Sequence, residues 1–268
     1  MKRLLIAGCG DIGIRLAESL PADEWQVSGL RRRVEKLPTR IQPQPANLAD
    51  PTTLQSIDRH WDAVVYQATP DKRSPEAYRL AYVTGLQNLL ARVQADRLLL
   101  VSSTAVYGQD DGQWVDEDSP TEPAKFNGQI LLESEAEAMA AGAVVVRFSG
   151  IYGPGRDYLL RQVRSGQASC REQPAQWTNR IHADDCAGVL AHLLNLPSPQ
   201  ALYCASDNCP SPRCEVLDWL AVKMGGNPPA RLSEAGGQGK RIANRRLRAS
   251  GYDFRYPDFR HGYGAMLK

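Results

Sequence analysis

The chain opens on an unbroken apolar run, Leu4-Leu5-Ile6-Ala7, passes through glycines, and continues with Ile14, Leu16, Ala17 and Leu20 at helical spacing. That change of period predicts a buried strand, a turn and a helix packed back on it. The alternation continues to about residue 150. Residues 25–30, 62–67, 98–101 and 143–148 read as strands. Between them, residues 75–93 carry Tyr78, Leu80, Ala81, Tyr82, Leu86, Leu89 and Leu90 on a helical pattern, and the acidic, alanine-rich residues 130–141 read as a second helix. Apolar strands without polar alternation, separated by helices, predict a parallel sheet covered on both faces, with right-handed crossovers.

The pattern loosens in the second half. Residues 150–155 form a glycine/proline loop, and Pro197, Pro199, Pro210, Pro212, Pro228 and Pro229 punctuate shorter elements. Residues 233–239 (SEAGGQG) read as a mobile loop. The expected organisation is a sheet domain over residues 1–150 and a smaller lobe over 151–268, interleaved with the last strands and helices of the sheet.

Composition narrows this picture without redirecting it. The 268 residues, 43% hydrophobic and 23% charged, suit a soluble globular protein with a substantial core. A net charge of +2 gives no reason to expect nucleic acid or an anionic membrane as partner. No run of about 18 apolar residues occurs, so no membrane-spanning helix is expected, and the apolar start is too short for a signal peptide. The six cysteines form no C-x-x-C pair, which reads as a reduced, cytoplasmic protein. Cys209 and Cys214 lack the further ligands a metal would need, so no metal is expected.

Chemistry enters with the first turn. Gly8, Gly10 and Gly13 have G-x-G-x-x-G spacing, enclosing Asp11 and Ile12, between the first strand and the first helix. Such a turn offers backbone N–H groups and the positive end of a helix to a pyrophosphate. The alternative is a glycine-rich turn in some other α/β protein. With the strand pattern, the reading is an α/β, Rossmann-like, doubly wound parallel sheet with a smaller interleaved C-terminal substrate lobe. The second strand ends in Arg31, Arg32 and Arg33, with no acid at that edge. An acid there binds the ribose of NAD, whereas an arginine accommodates the extra phosphate of NADP. Arg31 and Arg32 therefore favour NADP over NAD, against the alternative of a solvated basic loop.

Three later segments complete the reading: SSTAVYG at residues 102–108, RFSGIYGPGR at 147–156 and NRIHADD at 179–185. Together with the glycine loop they resemble the extended short-chain dehydrogenase/reductase superfamily of NAD-dependent epimerases and dehydratases. Ala7 stands where that family has its first glycine, so the chain resembles an atypical branch. The resemblance implies Asn47 and Leu48 beside the adenine, with a plain turn asparagine as the alternative for Asn47. It places Ala68 and Thr69 along the middle of the cofactor. It makes Ser103 the catalytic hydroxyl, with Ser102 and Thr104 close by, unless Ser103 simply caps the strand end.

The family's active members add a tyrosine and, one helical turn later, a lysine. Asn127 and Leu131 occupy those positions. Asn127 has no proton to exchange near neutral pH and Leu131 has no charge. Tyr107, Tyr152 and His182 are the remaining candidates near the expected pocket, although both tyrosines belong to segments that look packed. His182 with Asp184 and Asp185 reads as a loop capping a helix over 186–194 more readily than as a metal site. Arg147, Tyr152, Arg156, Arg180 and His182 are the expected substrate-facing residues, suited to a phosphate or carboxylate. For Arg147, inside a strand, a fold-holding role weighs equally. The implied function is an NADP-dependent oxidoreductase or epimerase acting on a small sugar- or phosphate-bearing substrate. The rival is a non-catalytic NADP-binding sensor, and a third reading is a structural subunit that binds no nucleotide. The resemblance also suggests a homodimer formed through helices near 75–93 and 129–141.

Overall fold

Each apolar run of the first half folds as a strand sealed from solvent. The computed structural model describes residues 1–233 and 236–268; Glu234 and Ala235, inside the run read as a mobile loop, lie outside the described residues. The strands β1 (Lys2–Ala7), β2 (Trp25–Arg31), β3 (Ile41–Pro45), β4 (His60–Tyr66) and β5 (Gln94–Ser103) join Val144–Phe148 and Leu202–Ala205 in one seven-stranded sheet. Its order is Leu202–Ala205, Val144–Phe148, β5, β4, β1, β2, β3. The pairs β1–β2, β1–β4, β2–β3 and β4–β5 are all parallel, with Ile6 opposite Gly29 on one side and Val65 on the other. Sequence reading passed over β3. Its IQPQP carries no apolar run, and its two prolines are tolerated because the strand lies at the sheet edge.

The helix expected over 75–93 forms with an irregular centre. It starts as α2 (Pro75–Tyr78), with Ser74 as N-cap accepting from the Ala77 N–H and Pro75 in the first turn. It then widens to π-helical hydrogen bonding over Arg79–Thr84 and resumes as α3 (Gly85–Arg92). The widened turn leaves carbonyls for side chains to fill. The Tyr66 hydroxyl donates to the Ala81 carbonyl at 2.5 Å, and the Ser134 hydroxyl donates to the Tyr82 carbonyl at 2.7 Å. Such one-turn π bulges recur at functional sites, and this one borders the cleft described below.

The chain divides into two compact units. The first comprises Met1–Val106, Glu122–Arg147 and Ala187–Tyr203, and the second Tyr107–Thr121, Phe148–Cys186 and Cys204–Lys268. Ala187–Tyr203 thus belongs with the first unit, and Tyr107–Thr121, which the expected boundaries put in the sheet domain, belongs with the second.

In the first unit, α4 (Phe126–Ala140) carries Glu135 into the interior, where it meets Arg147 of the strand Val144–Phe148. Both are almost wholly buried. The Arg147 Nη2 lies 2.6 Å and its Nε 3.0 Å from the Glu135 carboxylate, which also accepts from the Ser102 hydroxyl at 2.5 Å. Arg147 thus takes the fold-holding role, and it lines neither of the two pockets described below.

The second unit is built from short two-stranded pairs. Gly150–Tyr152 runs parallel to Arg180–His182, Ser169–Arg171 to Ala230–Leu232, and Asp111–Val115 to Gly239–Ile242. Helices Arg213–Met224 and Phe259–Met266 close a core around Leu160, Val163, Val216, Leu217, Leu220 and Phe259. Two sequence expectations are corrected here. Cys170 and Cys214 are joined in a disulfide, so the all-thiol reading holds only for Cys9, Cys186, Cys204 and Cys209. The spacing of 44 residues gave no C-x-x-C signal to read. The helix after His182 begins at Ala183, so Asp184 and Asp185 stand inside its first turn. Asp185 accepts from the Tyr252 hydroxyl and from the Arg255 and Tyr256 N–H groups, anchoring the C-terminal segment. Among the described residues no helix is long and apolar enough to cross a membrane.

Removing one partner of a buried ion pair strands the other charge, at a cost of about 3–5 kcal/mol. Glu135→Ala is therefore expected to lower the unfolding free energy by about that amount. Urea denaturation measures it, and a loss under about 1 kcal/mol would show that Arg147 does not depend on this carboxylate.

Candidate functional site

The first unit carries a cleft of about 490 Å³ at the C-terminal ends of β1, β2 and β4. Its walls are residues 8–10, 30–33, 46–49 and 68–71, closed by Ala77, Leu80 and Ala81 of the helix with the π turn. This is where an open α/β sheet binds ligands, beside the point at which strand order reverses. The glycine loop is shaped for close approach. Gly8 sits at φ +83°, and a Cβ there would lie 2.6 Å from the Ala68 backbone. At Gly13 a Cβ would lie 2.2 Å from the Gln67 amide and 2.9 Å from Ile6, so glycine brings α1 (Asp11–Ser19) down onto the sheet. Gly10 is the N-cap of α1 and supplies no side-chain cap, which leaves the first-turn N–H groups to an outside anion.

Of the expected cofactor residues, Gly8, Gly10, Arg31, Arg32, Asn47, Leu48, Ala68 and Thr69 line the cleft. Asp11, Ile12 and Gly13 stand in the first turn of α1 behind it, with Asp11 paired to Arg15 at 3.0 Å. The Arg31 Nη1 donates to the Cys9 carbonyl at 3.1 Å. Arg32 forks onto the Asp71 carboxylate at 2.8 and 2.5 Å. Asn47 accepts from the Ala49 N–H at 3.2 Å, so its oxygen makes a turn while the residue still lines the cleft. Sequence reading missed Cys9, Pro70 and Asp71 as lining residues, and Arg33, weighed behind Arg31 and Arg32, lines the cleft with them. Asp71 lies two residues past Thr69, and extending the β4 end that far would have found it. Burial pushes the Cys9 thiol up to about 11, which makes it a packing residue under the loop.

The second unit has its own pocket, of about 230 Å³, lined by Tyr152, Arg156, Thr178, Asn179, Arg180, Arg213 and Tyr263 among others. Arg180 is buried. Its Nη2 donates to the Thr178 hydroxyl at 2.5 Å, while its Nη1 has no partner among the described residues. The buried Tyr152 hydroxyl and the Asp207 Oδ2 are likewise unpartnered. Asp207 Oδ1 accepts from the Cys209 N–H, and the Asp207 N–H donates to the Arg180 carbonyl at 2.7 Å. Burial pushes the Asp207 carboxyl up to about 7, against the opposing pull of Arg180, and pushes the Tyr263 phenol up to about 12. His182 does not line this pocket. Its ring lies between Tyr256, 3.9 Å away, and the edge of Tyr152, and its Nδ1 accepts from the Asp184 N–H. Among the described residues no group of three or more His, Cys, Asp or Glu is placed to hold a metal.

Residues 4–203 match the model of the NAD dependent epimerase/dehydratase family. The chain belongs to this family. A solved candidate NAD-dependent epimerase/dehydratase from Methylobacillus flagellatus is 40% identical, with a TM-score of 0.86 over 99% of this chain and 97% of that one. Protein YeeZ of Escherichia coli K12 is 26% identical over 96% of this chain and 97% of its own length. A UDP-glucuronic acid 4-epimerase from Bacillus cereus, in complex with NAD, shares the fold at 17% identity, with a TM-score of 0.79 over 100% of this chain and 97% of that one.

Ser103, Asn127 and Leu131, the positions singled out in the sequence for proton transfer, lie in the first unit. β5 ends at Ser103, whose hydroxyl accepts from the Ala105 N–H at 3.2 Å in a strand-end turn. A Cβ on Gly128 would lie 2.6 Å from the Ala105 carbonyl, so the first turn of α4 abuts that turn closely. Asn127 stands there with its amide oxygen buried and unpartnered among the described residues, and Leu131 is buried one turn on. Tyr107, in the second unit, donates to the Asp116 carbonyl at 2.6 Å and lies 3.0 Å from the Cys204 sulfur, a packed position.

The raised Asp207 carboxyl has a stability consequence with a definite sign. At about pH 3 and below the group is largely protonated in both the folded and the unfolded chain, and costs almost nothing. As pH rises towards 7 the unfolded chain ionises while the folded one resists, so stability drains away through that window. Asp207→Asn keeps an acceptor for Cys209 without the charge. It is expected to raise the unfolding free energy at pH 8 by an amount on the order of 1–4 kcal/mol, read as a higher Tm, and to differ little from wild type at about pH 3. Thermal unfolding at the two pH values reads this directly, and an equal or lower Tm for the variant at pH 8 would remove the buried-charge argument.

Proposed function

We propose that this epimerase/dehydratase family member binds NADP in the cleft of the first unit, in preference to NAD. It would act as an oxidoreductase or epimerase on a small anionic substrate that carries a sugar, phosphate or carboxylate. The observation that carries the cofactor reading is the pair of arginines at the end of β2, Arg31 and Arg32, lining a cleft whose β2 edge bears no acid. Gly8 and Gly10 admit the pyrophosphate, with the first-turn N–H groups of Asp11, Ile12 and Gly13 completing its cradle. Arg31 and Arg32 take the 2′-phosphate through charge-assisted hydrogen bonds. Asn47 and Leu48 face the adenine, and Ala68 and Thr69 the middle of the cofactor. When bound, the nicotinamide supplies or accepts hydride. Ser103 then orients a substrate hydroxyl or carbonyl. Within the second unit, the Arg180 Nη1 and the Tyr152 hydroxyl, buried and unpartnered among the described residues, with Arg156 in the same pocket, favour a ligand bearing a negative charge.

Titration calorimetry tests the cofactor half. NADPH is expected to bind at least ten-fold more tightly than NADH. Arg32→Gln should weaken NADPH about ten-fold or more and move NADH less than two-fold, since a charge-assisted contact is worth about 1.5–3 kcal/mol. Equal affinities in the wild type would remove the NADP preference.

The second reading is a dinucleotide-binding sensor without turnover, and Asn127 and Leu131 favour it. A general acid/base typically contributes about 10²- to 10⁴-fold in rate, and neither residue can serve as one. Net oxidation of NADPH by the wild-type protein, followed across sugar phosphates and sugar carboxylates together with chromatography for an epimerised product, separates the two, because an epimerase returns the hydride and shows no net oxidation. Measurable substrate-dependent oxidation, or an epimerised product, eliminates the sensor. Oxidation that appears only in the Asn127→Tyr, Leu131→Lys double variant eliminates the reductase.

A further inference from the structure

The basic edge of the cleft is not simply open to a phosphate. Arg32 extends from the end of β2 and Asp71 from the segment after β4, and the two meet across the lip of the cleft that both line. The contact is a two-pronged fork, Nη1 and Nη2 on the two carboxylate oxygens at 2.8 and 2.5 Å, with both side chains about 60% exposed (60% and 62%). Its neighbour Arg31 is differently engaged, on the Cys9 carbonyl. Of these two arginines, then, Arg32 is the one held by a carboxylate.

We propose that Asp71 is a specificity-determining residue that competes with the 2′-phosphate of NADP for Arg32 and so limits how strongly the cleft prefers NADP over NAD. The inference rests on the cofactor reading above. A phosphate and a carboxylate present the guanidinium with the same pair of acceptors. The end-on fork that a 2′-phosphate would use is therefore the fork Asp71 already occupies. Binding NADP replaces one anion with another and leaves Asp71 beside a phosphate of like charge. Binding NAD, which has only a hydroxyl at that position, leaves the pair intact. Asp71 stays ionised throughout, because the hydrogen bond and charge of Arg32, helped by Arg33 and Lys72, hold its carboxyl below the usual range. An exposed pair is weak, worth no more than about a factor of five in equilibrium. The like-charge contact adds to it, so the total effect on NADP should be about three- to ten-fold.

The test is a double-mutant cycle read by calorimetric affinity for NADPH and for NADH, on the full chain. Asp71→Asn is expected to tighten NADPH about three- to ten-fold and to change NADH less than two-fold. In an Arg32→Gln background the same substitution should leave NADPH affinity within two-fold. Asp71→Ser should repeat the gain, which separates loss of charge from any new contact made by the amide. A loss of NADPH or NADH affinity in Asp71→Asn overturns the proposal, since Asp71 would then be a ligand of the cofactor. A gain that persists at full size without Arg32 also overturns it, since the effect would be general charge. If Arg32→Gln itself leaves NADPH unchanged, the underlying cofactor reading has failed. If Arg32→Gln weakens NADPH but Asp71→Asn brings no gain, only the competition has failed.

Discussion

The contact on which the rest of the first unit depends is the passage of the chain over the end of β4 at Gly8. The Gly8 and Cys9 N–H groups both donate to the Leu30 carbonyl, at 2.9 and 3.1 Å, which ties the loop to the end of β2. The Gly8 Cα lies so close over Ala68 that no side chain fits between them. Strand, loop and helix are thus fastened to two other strands at one point. The same fastening gathers the ends of β1, β2 and β4 into a single cleft. It leaves the first turn of α1 without an internal cap, and an uncapped helix start is a standing attraction for an anion.

A second constraint lies deeper and serves a different end. Glu135 and Arg147 are both nearly inaccessible to water, and such a pair is weak evidence of stability in itself. What it does fix is registration. The carboxylate takes the Ser102 hydroxyl from the end of β5 and the guanidinium from the next strand, so α4 is tied to two neighbouring strands at one point. That registration places the start of α4, with Gly128 and Asn127, against the turn that follows Ser103. An arginine in a strand near the family's substrate motif invites a substrate role, but the pairing explains its burial without one.

The strands and helices of the first half were legible because their apolar runs and helical periods are strong and local. Three features were not. β3 has no apolar run and is held by edge pairing to β2. The π turn at Arg79–Thr84 keeps helical periodicity on either side, so the pattern carries no mark of it; its signature is tertiary, in the Tyr66 and Ser134 hydroxyls that fill the freed carbonyls. The Cys170–Cys214 disulfide joins positions brought together by the fold of the second unit, which spacing along the chain does not reveal. In the candidate site the same division holds. The glycines and arginines follow from local motif chemistry. Asp71 and Asp207 matter through groups far from them in sequence, Arg32 in one case and the buried surroundings of Arg180 in the other.

The two sites also differ in how they use charge, and the difference follows from solvent. At the lip of the cleft Arg32 and Asp71 are exposed, so water screens them and their pairing can open at little cost. Around Arg180 there is no such screening. Its Nη1, the Tyr152 hydroxyl and the Asp207 Oδ2 are buried without partners among the described residues, and each unmet polar group carries a desolvation penalty. A fold retains such a cluster most readily where something polar enters to satisfy it. The exposed pair is suited to adjusting a preference between two similar cofactors. The buried cluster is suited to demanding a particular group, because a ligand that fails to supply the missing partners leaves the penalty in place.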